Sequence, residues 1–154
     1  MVVLLADTGV PLDQAGCIIP EHRDSDATGL MTAASLGHNT VVEFLIGKGV
    51  TVDKKKSCGK TALMFAAQGN HIKTVKLLLD AGAAIEATDN QGRTPLHQAL
   101  ECCSLNAAGY LMLRGADPSK IKNRTAIMDE GIEQIQEYRE RLEDNIRIAL
   151  ESSS

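Results

Sequence analysis

Thr94-Pro95-Leu96-His97-Gln98-Ala99 is the stretch from which the fold can be read. The same text recurs in altered form at Thr61-Ala62-Leu63-Met64-Phe65-Ala66-Ala67 and at Thr28-Gly29-Leu30-Met31-Thr32-Ala33-Ala34. The step from Thr28 to Thr61 equals the step from Thr61 to Thr94. Gly49, Gly82 and Gly115 follow these threonines at one constant spacing. A fixed period of this length marks a stacked array in which each unit touches mainly its neighbours.

One unit, Thr61 to Ala83, shows how the period is built. Thr61 suits a helix N-cap, and Ala62, Leu63, Met64, Ala66 and Ala67 are apolar helix formers. Gly69 and Asn70 stop that helix, because both tolerate a left-handed backbone. A second helix follows with Val75, Leu77 and Leu78 on its apolar face, and Ala81-Gly82-Ala83 ends it. Helices this short are marginal alone in water, so neighbouring units must cover their apolar faces. Asp89-Asn90-Gln91-Gly92 predicts a turn before Thr94, with Gly92 supplying a positive φ. Gly59, Asn123 and Asp26 hold the same place in the other units.

These residues resemble the ankyrin repeat. The likeness rests on Thr94-Pro95-Leu96-His97, on Ala66-Ala67 followed by Gly69-Asn70-His71, and on Val75 to Leu79 leading into Ala81-Gly82-Ala83, and it covers roughly residues 23–126. It implies an all-α solenoid of stacked helix-turn-helix units with projecting hairpin loops. The expected layout is one domain over 1–154: a partial repeat and insertion loop at 1–22, full repeats at 23–55, 56–88 and 89–119, a partial repeat at 120–129, and a long C-terminal helix at 130–150. Ile132, Ile135, Tyr138, Leu142, Ile146 and Ala149 give that last segment an apolar stripe at helical spacing. It reads as a capping helix, with self-association as the alternative.

Three departures from the pattern stand out. Cys103 replaces the glycine found at Gly37. The step from Thr94 to Thr125 is shorter by two than the earlier steps, so the fourth hairpin is trimmed, and Pro118 stiffens it. Val2 to Asp13 look like the second half of a repeat, and Gln14 to Ala27 carry an insertion. An array that starts mid-unit with apolar residues reads as a piece of a longer protein or as a tightly capped variant.

Composition narrows the function. Net charge is −4, which argues against general nucleic-acid affinity. No apolar run is long enough to span a bilayer. The four cysteines, Cys17, Cys58, Cys102 and Cys103, lack metal-ligand spacing and read as reduced thiols of a cytoplasmic or nuclear protein. Cys102 and Cys103 face away from His97 on helical spacing, with no third group to orient a nucleophile. With no phosphate loop and no cofactor motif, no enzyme is expected.

The resemblance also implies a role: capture of another protein through a concave face and loop tips. Carried across residue by residue, the contacts fall at Asp24, Ser25, Thr32, Ser35 and Leu36 in the first unit. In the second they fall at Ser57, Cys58, Lys60, Phe65 and Gln68. In the third they are Asn90, Gln91, Arg93, Gln98 and Glu101. Phe65 and Leu36 are natural anchors, although packing of Phe65 between neighbouring repeats is the slightly favoured reading. The family uses a histidine at the place of His97 to bond the backbone of a neighbouring loop. Lys54, Lys55, Lys56, Lys60, Arg93, Lys120, Lys122 and Arg124 all precede threonines of the array, so stacked loops would form a basic edge suited to an acidic segment of a partner. A solvated edge is the plainer reading. Two other roles fit an ankyrin array: a regulatory segment of a larger enzyme or channel, and a sensor of a small nucleotide-like ligand.

Overall fold

A computed structural model describes residues 28–137 and 139–152. The expectations for the N-terminal half-repeat, the insertion loop, Cys17, Asp24, Ser25, Asp26 and Tyr138 fall outside them, as does the side chain of Leu142. The described residues are helical with no strand, in the order α1 Gly29–Leu36, α2 Asn39–Gly47, α3 Ala62–Gln68, α4 Ile72–Asp80, α5 Pro95–Glu101, α6 Leu105–Leu113, a 3-10 turn Pro118–Lys120, α7 Ala126–Glu137 and α8 Arg139–Ser152.

Each unit starts at its threonine. Thr28 Oγ1 accepts from Met31 N at 3.2 Å and Thr94 Oγ1 accepts from His97 N at 3.3 Å, which satisfies donors that a helix start leaves open. Pro95 sits in the first turn of α5, where its missing N–H costs nothing. The first helices end in a left-handed residue: Gly37 at φ 69°, Asn70 at φ 57° and Cys103 at φ 54°. The chain then reverses, and His38, His71 and Ser104 open the second helices.

The first helices α1, α3 and α5 pack side by side, and the second helices α2, α4 and α6 form a layer behind them. The core between the layers repeats with the sequence. Leu30, Leu63 and Leu96 hold one place in successive units, as do Leu45, Leu78 and Leu111, and all six are at most 2% exposed. Ala34, Ala66, Ala67, Ala99, Ala107 and Ala108 are fully buried, so the helices approach closely. Hydrogen bonds across units follow the same period. His71 Nε2 donates to Ser35 O at 3.0 Å, and Ser104 Oγ donates to Gln68 O at 2.8 Å. Asp53 accepts from Ala84 N at 3.0 Å, and Glu86 accepts from Asp117 N at 2.8 Å.

The C-terminal segment is divided into two helices, and the first begins earlier than Glu130. Thr125 Oγ1 accepts from Met128 N at 3.3 Å, so the fourth threonine opens a helix as the others do. Helix α7 packs on α5 and α6, taking the first-helix place. Helix α8 packs on α6 and reaches α4, taking the second-helix place. The apolar stripe is shared between them: Ile132 and Ile135 are buried on α7 and Ile146 on α8.

Candidate functional site

The exposed ends of the first helices and the hairpins beside them form one strip, and its contacts repeat. In the second unit Lys60, just before the threonine, reaches Gln68 at the end of α3: Lys60 Nζ donates to Gln68 Oε1 at 3.2 Å. In the third, Arg93 reaches Glu101 at the end of α5, with Nη1 3.1 Å from Oε2. Gln68 Nε2 in turn approaches Cys102 Sγ at 3.8 Å, linking the two units. The Lys60 ammonium lies 5.7 Å from the centre of the Phe65 ring, a favourable cation–π placement. Phe65 packs partly against the core and keeps the rest of its ring in the strip. Leu36, at the end of α1, is 45% exposed.

The hairpin tips dock through the main chain. Asn90 N donates to Cys58 O at 3.1 Å, and Asn90 Nδ2 donates to Ser57 O at 2.7 Å. Gly59 makes this approach possible: its φ is +82°, and a Cβ there would sit 2.6 Å from Asn90 N. The side chains of Ser57, Cys58, Asn90 and Gln91 remain exposed at this edge.

Gln98 departs from the expected strip. It is fully buried and donates through Nε2 to Asp89 Oδ2 at 2.9 Å, so it cannot meet a partner. The cause is Asp89, which the sequence marks only as a turn residue. Asp89 is 6% exposed and also accepts from Gln91 N, Arg93 N and Arg93 Nε, each at 2.9 Å. Burial alone would raise its pKa, but the hydrogen bonds from Arg93 and Gln91 outweigh that and hold the carboxyl below its usual range. The sequence signal is an aspartate shortly before an arginine and a glutamine. Nothing in that spacing says which way the side chains turn.

The basic residues do lie along the hairpin edge, yet most are engaged within the chain. Lys55 Nζ donates to Thr88 O at 2.7 Å, Lys120 Nζ is 3.8 Å from Glu86 Oε2, and Arg124 Nη2 is 2.7 Å from Asp129 Oδ1. Lys54 and Lys56 also have interactions of their own. Lys122 is exposed and has no ion pair among the described residues. No group of three metal-ligating side chains occurs among the described residues. Cys58, Cys102 and Cys103 are free and exposed. No helix of the described residues is long and apolar enough to cross a membrane.

His97 also differs from the role the resemblance implies. Its ring bonds no neighbouring loop: Nδ1 is buried without a hydrogen-bond partner among the described residues. Burial is the main cause that lowers the His97 pKa, aided by the nearby Arg93 charge and opposed by Glu101 and Asp89.

A family profile described as ankyrin repeats, in three copies, matches residues 30–122. A search of curated proteins gave no match.

Proposed function

The chain belongs to the ankyrin-repeat family, whose members are generally protein–protein interaction modules, and from that premise we propose that it captures another protein without chemistry. The contact surface is the strip of first-helix ends and hairpin tips, with Phe65 and Leu36 as anchors. The observation that carries this reading is the set Lys60, Phe65 and Gln68. A partly exposed aromatic, flanked by a lysine 5.7 Å from its ring centre and by an amide, is a prepared contact on a rigid helix. Asn90, Gln91, Ser57, Cys58, Lys55, Lys56 and Lys122 form the rim, and Arg93 and Glu101 extend the strip into the third unit. Three exposed free thiols fit a reducing compartment, cytoplasmic or nuclear.

The test is affinity capture with the whole chain and with Phe65→Ser and Leu36→Ser variants, each checked for an unchanged helical spectrum. Loss of the same captured protein in both variants supports the strip. Equal capture by all three forms removes it.

The nucleotide-sensor alternative is less favoured, because Lys60 already lies over the aromatic ring of the strip. A regulatory segment of a larger enzyme or channel would use the same surface on a partner in cis. Self-association through the C-terminal helices draws on Ile148, which is 57% exposed on α8. Sizing the chain across a concentration series, with an Ile148→Ser control, separates that from capture of a different protein.

A further inference from the structure

The second and third hairpins close with the same main chain and opposite charge. Lys56 N donates to Lys60 O at 2.9 Å and Gly59 N donates to Lys56 O at 2.7 Å. One unit later Asp89 N donates to Arg93 O and Gly92 N donates to Asp89 O, both at 3.0 Å. Gly59 and Gly92 are both left-handed, at φ 82° and 74°. Turns with the same closing bonds point their remaining amides alike, so each side chain has a counterpart one unit on.

In the third hairpin a carboxylate of the chain fills the turn. Asp89 accepts from Gln91 N, Arg93 N and Arg93 Nε, each at 2.9 Å. Glu101 is a second counter-charge for Arg93, at 3.1 Å. In the second hairpin both carboxylates are replaced: Lys56 stands for Asp89, and Gln68 stands for Glu101. Lys60, the counterpart of Arg93, is left in neutral company, with Gln68 Oε1 at 3.2 Å and the centre of the Phe65 ring at 5.7 Å. It has no ion pair among the described residues. Cys58 N and Lys60 N, the counterparts of Gln91 N and Arg93 N, have no acceptor among the described residues. No acidic residue lies between Lys54 and Lys60, and the adjoining Asp53 is turned to Ala84 N at 3.0 Å. Two turn amides and an uncompensated ammonium, in a field raised by three further lysines, favour an incoming anion.

We infer that the second hairpin is a subsite for one acidic side chain of the captured protein, whose carboxylate takes the place that Asp89 fills from within one unit later. Its oxygens accept from Cys58 N, Lys60 N and the Lys60 ammonium, as charge-assisted hydrogen bonds. The ring of Phe65 beside Lys60 fits an apolar residue next to that acid. This rests on the protein-binding role proposed above, since Lys60 and Phe65 belong to the strip.

The experiment is a titration of the full chain with millimolar acetyl-Leu-Glu-Leu-amide, following backbone amide resonances. The glutamine counterpart acetyl-Leu-Gln-Leu-amide and inorganic phosphate are run in parallel. The glutamyl peptide should shift Cys58 and Lys60 saturably and leave Gln91 and Arg93, whose amides already hold Asp89, nearly still. Lys60→Gln should weaken binding about fivefold. Lys56→Asp, which copies Asp89, should shift the Cys58 and Lys60 amides without peptide and lose the peptide response. Still amides at Cys58 and Lys60, an equal response to the glutamine peptide, or tighter binding of phosphate than of the peptide would overturn the assignment. So would unchanged affinity in Lys60→Gln or in Lys56→Asp. The titration needs no partner protein, so its failure would leave the Phe65 and Leu36 test of the strip untouched.

Discussion

The interface between the second and third units and the interface between the third and fourth use different means to hold similar helices. The former is stitched at every level: Ser104 to Gln68 at the helix turn, Asp117 to Glu86 at the stem, and Asn90 to Ser57 and Cys58 at the tip. The latter leaves a groove at the tip, between residues 91–93 and 122–125. In exchange it has longer helices, with α7 and α8 at 12 and 14 residues against 7 to 9 for α1 to α6. Shortening one hairpin therefore shifts the cohesion of the array from main-chain docking to apolar burial.

The largest effect should come from the periodic core. Leu78 is fully buried between units, so Leu78→Ala should cost about 2–5 kcal/mol. Ile146→Ala in the terminal unit should cost about 2 kcal/mol, because a cavity near the end collapses more easily. Urea unfolding of both variants checks the ratio, and equal losses would break the contrast between interior and end.

Next is the Asp89 centre. Asp89→Ala would leave the Gln98 amide and two backbone N–H groups without their acceptor, a loss of about 2–3 kcal/mol. Lys56→Ala, at the same place one unit earlier, should cost less than about 1 kcal/mol. Charge reversal at Arg93 is for the same reason a stability mutation rather than a clean probe of the basic edge. Tests of that edge belong at Lys55 and Lys122.

The pH dependence separates two groups of the third unit. His97 has a lowered pKa when folded, so its neutral-form stabilisation is complete above the unfolded value near about 6.5 and declines as pH falls through and below it. Asp89 has a lowered pKa as well, so its contribution is present above about 3.9 and is lost only as pH drops further through the folded value. Urea midpoints measured from neutral to mildly acidic pH should therefore fall less for His97→Met than for the parent chain. An identical slope would remove His97 as the titrating group.

The smallest effect is local. Cys103 holds a left-handed φ of 54° where Gly37 does so without a side chain. Cys103→Gly should raise stability by about 0.5 kcal/mol, and a thermal melt showing a loss would mean the Cys103 side chain contributes a contact.

The repeat was legible because every unit meets the same surroundings, so Leu30, Leu63 and Leu96, or Gly37, Asn70 and Cys103, answer to one local rule. Asn123 followed that rule too, with φ 56° at the turn position. The inward turn of Gln98 was not legible, because it depends on a carboxylate from another part of the unit. The division of the C-terminal segment was hidden because the stripe from Ile132 to Ala149 is continuous in spacing, whereas the packing partners change from α5 to α4. The orphaned His97 nitrogen was not legible either, because the enclosure of one ring atom depends on packing that residue spacing does not give.

Helix α8 touches the second helices of two units, α6 and α4. An array with nearest-neighbour contacts alone can unzip one module at a time. A strap across two modules removes the easiest first step, since α8 must detach from both before either is released. Amide hydrogens of α4 and α6 should then exchange as one cooperative block, so that this back layer comes apart in a single step and not module by module.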